Sequence, residues 1–129
     1  MKITLAKSAG FCFGVDRAVS LVEEAVDQGK QVATLGPIIH NRHVMDHFMQ
    51  RGVRELKEPE EAKPGECVVI RSHGVSRAVY ARLQDQGVEI VDATCPFVKR
   101  IHKLVIQAEE KGRRPIIIGT RTHPEVEAI

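Results

Sequence analysis

The sequence predicts an α/β fold built from parallel β-α-β lobes, on two observations. Short apolar runs rich in β-branched residues alternate with longer stretches whose apolar residues recur at intervals of three and four. Strands that alternate with helices in this way join as parallel units with right-handed crossovers. Taken in order, KITLA (2–6) reads as a first buried strand. Val15, Ala18, Val19, Val22, Ala25 and Val26 then give one helical stripe, ended by Gly29 as a left-handed C′ residue. QVATL (31–35) is a second strand, followed by a weaker helix over about 41–51. RELKEPEEAKPGE (54–66), polar and with two prolines, reads as a surface connection. CVVI (67–70) is a third strand, and Val75, Val79 and Leu83 mark a helix over about 76–86. VEIV (88–91) is a fourth strand. Val98, Ile101, Leu104, Val105 and Ala108 form a stripe against a sheet, stopped at Gly112, and PIIIG (115–119) is a fifth strand.

Composition narrows the function classes. A chain of 129 residues that is 43% hydrophobic and 28% charged can bury a core of its own. Its net charge of +2 comes from 19 basic against 17 acidic residues, with no long run of one sign, so neither nucleic acid nor an anionic membrane is indicated. Four Phe, one Tyr and no Trp argue further against a base-stacking surface. No apolar run approaches the roughly 20 residues of a membrane span. Three cysteines without a secretory leader point to free thiols or metal ligands in a reducing cytoplasm.

The unusual residues fall at one kind of place. Cys12 follows the first predicted strand, His40 the second, His73 the third, Cys95 the fourth, and His123 with Glu125 the fifth. Ligands bind at the carboxyl edge of open parallel sheets, where helix N-termini point unpaired N–H groups into a crevice. Cys12 lies between two glycines, which allows close backbone approach. Cys95 precedes Pro96 at a helix start, where the dipole favours the thiolate that binds metals. Cys67 opens a strand and is expected to be a packed core thiol. Three histidines beside backbone amides suit a polyanion such as a diphosphate. Glu125, in a first helical turn, is either a capping charge or a proton donor. His43 and His47, four apart beside Asp46, could make a zinc face, but a solvated helix side is the better reading. His102 has no partner visible in sequence and is expected at the surface. Two cysteines cannot complete an all-cysteine zinc site or a four-thiolate iron–sulfur cluster.

Five blocks in order, GFCFGVDRA around Cys12, HN at 40–41, SHGV at 72–75, DATCP at 92–96 and HPEV at 123–126, resemble the signatures of the 4-hydroxy-3-methylbut-2-enyl diphosphate reductase family, also called IspH or LytB. The resemblance implies a three-lobed enzyme around a 4Fe–4S cluster held by three cysteines, with the iron lacking a cysteine binding the substrate's allylic oxygen. Cys12 and Cys95 match two ligands. His40, His73 and His123 match the residues that grip the diphosphate, and Glu125 matches the acidic proton donor. The implied reaction is a two-electron reductive loss of water that gives isopentenyl and dimethylallyl diphosphates, with ferredoxin or flavodoxin as electron source. On this resemblance residues 1–95 are a first lobe and 96–129 begin a second. The third cysteine and the remaining pocket residues would lie beyond residue 129, so the chain is expected to be an N-terminal piece, inactive alone. Ala128 stands where the family tends to have glycine, which bears on the geometry of that loop. The alternative is a non-catalytic anion- or metal-binding module with the same fold.

Overall fold

The computed structural model describes residues 1–129 and contains a four-stranded, fully parallel sheet with helices on both faces. The strands are β1 (Val32–Leu35), β2 (Arg54–Leu56), β3 (Cys67–Ile70) and β4 (Glu89–Asp92), in the spatial order β2-β1-β3-β4. Before, between and after them run α1 (Phe13–Asp27), α2 (Arg42–Gln50), α3 (Arg77–Asp85), α4 (Pro96–Glu110) and the short α5 (Pro124–Glu127). β1 and β3 pair in register from Val32 opposite Cys67 to Leu35 opposite Ile70, and β4 continues with Asp92 opposite Ile70. All three strands therefore end at one level. The chain steps outward from β1 to β2 and returns on β1's other side as β3, so the gap between β1 and β3 is a topological switch point, where loops diverge and a crevice opens.

Side-chain alternation along the strands divides the core into two layers. Cys67 and Val69 face α1 and α2 and pack with Ala18, Val22, Ile38, Met45 and the fully buried Phe48. Val68 and Ile70 face the other way, with Leu35, Leu56 and Leu83. The helices begin and end as their sequence dictates. Asn41 and Ser76 accept from backbone N–H groups at the starts of α2 and α3, and Pro96 occupies the first turn of α4. Gly29 and Gly112 take φ of 74° and 65°, the left-handed conformation expected after the first and fourth helices. Cys67 is a core thiol, as its position in an apolar run suggested, and burial pushes its pKa up.

Four expectations of the fold fail. Residues 2–6 and 115–119 pair with no strand, and Ile3, Leu5, Ile116 and Ile118 are each at least 80% exposed. Their composition suits a strand, but a strand needs a neighbour for its backbone groups and nothing within residues 1–129 supplies one. The segment 54–66 is not merely a connection, because its first three residues form the edge strand β2. Only Leu56 is buried there, so its hydrophobic signal is a single residue. Later in the same segment the buried Glu66 carboxylate pairs with Arg54 and accepts from Lys63 N–H at 2.8 Å. Finally, the stripe of α4 is not packed on a sheet: Val98 is buried, but Phe97, Ile101 and Leu104 are exposed. No helix is long and apolar enough to cross a membrane.

Phe48 is the largest fully buried side chain. Phe48→Ala is expected to lower the unfolding free energy by about 3–5 kcal/mol, read by denaturant titration; a loss below about 1 kcal/mol would show that the α2 layer collapses into the cavity without cost.

Candidate functional site

Parallel pairing of β1 with β3 sends the chain out of both strands on the same edge, and this brings His40 and His73 together. Their ring centroids lie 4.7 Å apart, and the ring of His123, from the turn before α5, stands edge-on to His73 at 6.2 Å. Three histidines from three loops thus form one cluster. A cavity of about 240 Å³ opens beside it, lined by Phe11, Val15, Ile39, His40, Asn41, Ser72 and His73. Phe11 immediately precedes Cys12, so this cavity reaches from the histidines to the cysteine loop.

Cys12 and Cys95 are the N-cap residues of α1 and α4, and neither thiol is spent on a capping bond. Both are free, Cys12 exposed and Cys95 half-buried. The two helix starts touch. A Cβ placed on Gly14, two residues after Cys12, would lie 2.5 Å from Cys95 Sγ, so only glycine lets the first turn of α1 come this close to the second thiol. Within the chain no group of three His, Cys, Asp or Glu side chains could hold a metal ion. The Cys95 thiol thus lies against the first turn of the helix that Cys12 caps.

Ser72 joins the loops. Its N–H and its hydroxyl donate to Ile38 C=O at 3.4 and 3.3 Å, and its own carbonyl accepts from Cys95 N–H at 2.9 Å. One residue therefore ties the His40 loop, the His73 loop and the start of α4. Gly74 takes φ of 78°, and a Cβ there would meet Thr94 Cγ2 at 3.0 Å and His102 Cε1 at 3.1 Å. His102 is accordingly not a surface residue: it is half-buried against Gly74, with Nε2 enclosed and unpartnered. Its sequence neighbours gave no sign of this because the contact is made across two loops. His43 and His47 are exposed on α2, as a solvated face requires.

The electrostatics follow from this packing. Burial, reinforced by the neighbouring His40 ring, holds the pKa of His73 below the ordinary 6.5, while Glu125 pulls in the opposite direction. Glu125 therefore acts on the histidine cluster through space. Its backbone N–H donates to His123 Nδ1 at 3.3 Å, which leaves Nε2 as the position that carries the proton in a neutral ring. Each sequence-derived site residue lies at a helix start or in the loop before one. Cys12 and Cys95 share one neighbourhood, and His40, His73 and His123 with Glu125 share the adjoining one.

The family model described as LytB protein matches residues 3–129. The chain belongs to the LytB family. Curated relatives named 4-hydroxy-3-methylbut-2-enyl diphosphate reductase include those of Thermoanaerobacter sp. (strain X514), 45% identical over 98% of this chain, and of Clostridioides difficile (strain 630), 41% identical over 98%. A solved reductase described as the terminal enzyme of the non-mevalonate pathway superposes with a TM-score of 0.85 at 42% identity. It aligns with 98% of this chain and 45% of its own. The Plasmodium falciparum reductase structure gives 0.89 at 27% identity, over 95% and 39% respectively. The chain spans about half the length of the curated relatives it matches.

Two outcomes are expected of this LytB-family site. His73 has a depressed folded pKa, so its contribution to stability is present above pH 6.5 and is lost as pH falls through the folded value. The melting temperature should drop between about pH 7 and pH 5, and His73→Gln should flatten that limb; an unchanged slope would remove His73 as its source. Gly14→Ala should destabilise, because overpacking against Cys95 costs about 1–3 kcal/mol and outweighs the up to about 1 kcal/mol that alanine adds to a helix. A more stable variant would mean that α1 and Cys95 are not in contact.

Proposed function

We propose that this chain carries the diphosphate grip, the proton donor and two of three cluster ligands of a 4-hydroxy-3-methylbut-2-enyl diphosphate reductase. One observation carries the proposal: His40, His73 and His123 converge beside the loops that hold Cys12 and Cys95. The substrate class is a small allylic diphosphate. Family membership and the names of its relatives support this reading, and the geometry gives it a physical form.

The donor set fits an iron–sulfur cluster at two corners. Both thiols are free and make no capping bond at helix N-termini, and the Cys95 thiol lies against Gly14 in the first turn of the Cys12 helix. Cys12 and Cys95 would hold a 4Fe–4S cluster together with a third cysteine outside these 129 residues, and the cluster, when bound, supplies the electrons for the reductive loss of water. Cys67 is buried in the sheet on the far end of β3 and does not serve. Ferredoxin or flavodoxin would deliver the electrons, in the cytoplasm.

The chain's own residues bind, orient and donate. His123 offers Nε2–H, fixed by the bond that its Nδ1 accepts. Burial disfavours the charged form of His73, and a diphosphate anion beside it would favour that form. Glu125, close enough to His73 to influence its pKa, would serve as the proton donor to the reacting end. Two electrons and two protons are consumed as the hydroxyl leaves as water. Residues 1–95 form the first lobe, and residues 96–129 open a second; the bare apolar side of α4 and the unpaired run 115–119 support that division.

The alternative, a non-catalytic anion- or metal-binding module, draws on the absence of a three-ligand set within the chain. One experiment separates the two. The complete gene product, reconstituted anaerobically with iron and sulfide, should reduce the dienyl diphosphate. Glu125→Gln should lower kcat by about 10²–10⁴-fold with substrate affinity nearly unchanged, and the 129 residues alone should show no turnover. Diphosphate binding without reduction by the complete product favours the module.

A further inference from the structure

We propose that Arg17 is a positioning residue that sets the separation of the Cys12 and Cys95 thiols by clamping α1 onto the loop before α4. The inference rests on the reading of these cysteines as ligands of one group, and it goes beyond that reading in naming what holds them apart.

Arg17 lies on α1, five residues after Cys12. Its guanidinium crosses to the segment between β4 and α4, where Nη1 donates to Thr94 C=O and Nη2 to Asp92 C=O, each at 3.4 Å. Both bonds are long, and what distinguishes them is the fork: one planar group spans two carbonyls of the segment that ends in Cys95. The chain's ion pairs involve other residues, so these backbone oxygens are what its charge is set against.

The receiving loop is itself rigid. Thr94 N–H donates to Asp92 Oδ1 at 2.9 Å, Lys99 Nζ lies 2.6 Å from Asp92 Oδ2, and Cys95 N–H donates to Ser72 C=O at 2.9 Å. Burial works against the charged form of Asp92, but the bonds from Lys99 and Thr94 keep its pKa below the usual carboxylate range, so the brace stays charged. Cys95 is thus fixed to the sheet through Ser72. Within residues 1–129 no strand pairing fixes Cys12 from its own N-terminal side, since residues 2–6 pair with no strand there. Its position is inherited from α1. Where α1 meets the Cys95 loop there is the smooth contact of Gly14 against Cys95, which limits approach but does not prevent sliding, and the Arg17 fork, which does. Ala18 and Val22 anchor the middle of α1 in the core, and loss of the fork removes the polar tie between its first turns and the Cys95 loop, so that Cys12 can shift relative to the second thiol.

The test uses the complete gene product, prepared iron-free and anaerobically, with Cd²⁺ as probe and thiolate-to-metal absorbance as readout. Arg17→Met keeps the stem and removes the fork. It should weaken Cd²⁺ binding by about tenfold or more, since small misplacements of converging groups cost that much, while affinity for inorganic diphosphate stays within about twofold and the thermal midpoint is nearly unmoved. Arg17→Lys, able to reach one carbonyl, should fall between Met and the native residue. Native-like Cd²⁺ affinity in Arg17→Met overturns the clamp. Equal loss of Cd²⁺ and diphosphate affinity also overturns it, because that is a general packing role. A native protein whose Cd²⁺ affinity is indifferent to both Cys12→Ser and Cys95→Ser overturns instead the ligand-pair reading on which the clamp rests.

Discussion

The parallel pairing of β1 with β3 is the constraint on which the site depends. Because Leu35 stands opposite Ile70, the two strands end together, and the residues that follow each leave the sheet side by side. His40 and His73 meet for that reason, although 32 residues of chain and the edge strand β2 separate them in sequence. Slippage of this register by one residue would turn Cys67 and Val69 toward the opposite layer and carry His73 away from His40. The hydrophobic layers on the two faces of the sheet therefore guard the geometry of the histidine cluster, since the alternation that buries Val68 and Ile70 on one side and Val69 on the other admits a single register.

Above the sheet the site is assembled from backbone contacts more than from side-chain pairs. Ser72 links three loops through its N–H, hydroxyl and carbonyl, and two glycines allow approaches that a Cβ would forbid. Gly74 admits Thr94 and His102 against the His73 loop, and Gly14 admits Cys95 against α1. The histidine cluster and the Cys95 loop are thereby coupled: movement of the Cys95 loop is felt at Ser72, and hence at His73. Such coupling suits a site that must hold the two ends of one ligand at a set distance. His73 Nδ1 is itself left without a protein partner, while the loop that carries it is densely bonded.

Much of this was legible in the sequence, and the omissions have physical causes. The strands at 32–35, 67–70 and 89–92 and the helices α1, α2 and α3 coincide with their apolar periods, because each buries a face within this chain, and α4 forms where its period predicts although most of its apolar face stays bare. The runs 2–6 and 115–119 have the same composition and form no strand, because pairing is a property of two segments and composition belongs to one. β2 escaped notice because an edge strand with one buried residue carries almost no pattern. The candidate site residues were found through the family's sequence blocks and through their positions after expected strands, of which those before His40, His73 and Cys95 formed and those before Cys12 and His123 did not. Arg17, Ser72 and the buried side of His102 were not, since what distinguishes them is a partner 34 to 77 residues away or on a facing loop.

Residue type and local spacing by themselves determined the α/β class, the helix caps, the core thiol and the chemistry available at each loop. A cysteine at a helix start, a histidine after a strand and an acid in a first turn are local facts, written in adjacent residues. The tertiary structure alone decided which loops meet: that three histidines share one cluster, that Cys12 and Cys95 are neighbours across Gly14, and that Arg17 bridges their two elements. Those distances come from strand order and register, which depend on how buried faces from distant segments fit against one another, and no local pattern encodes that fit.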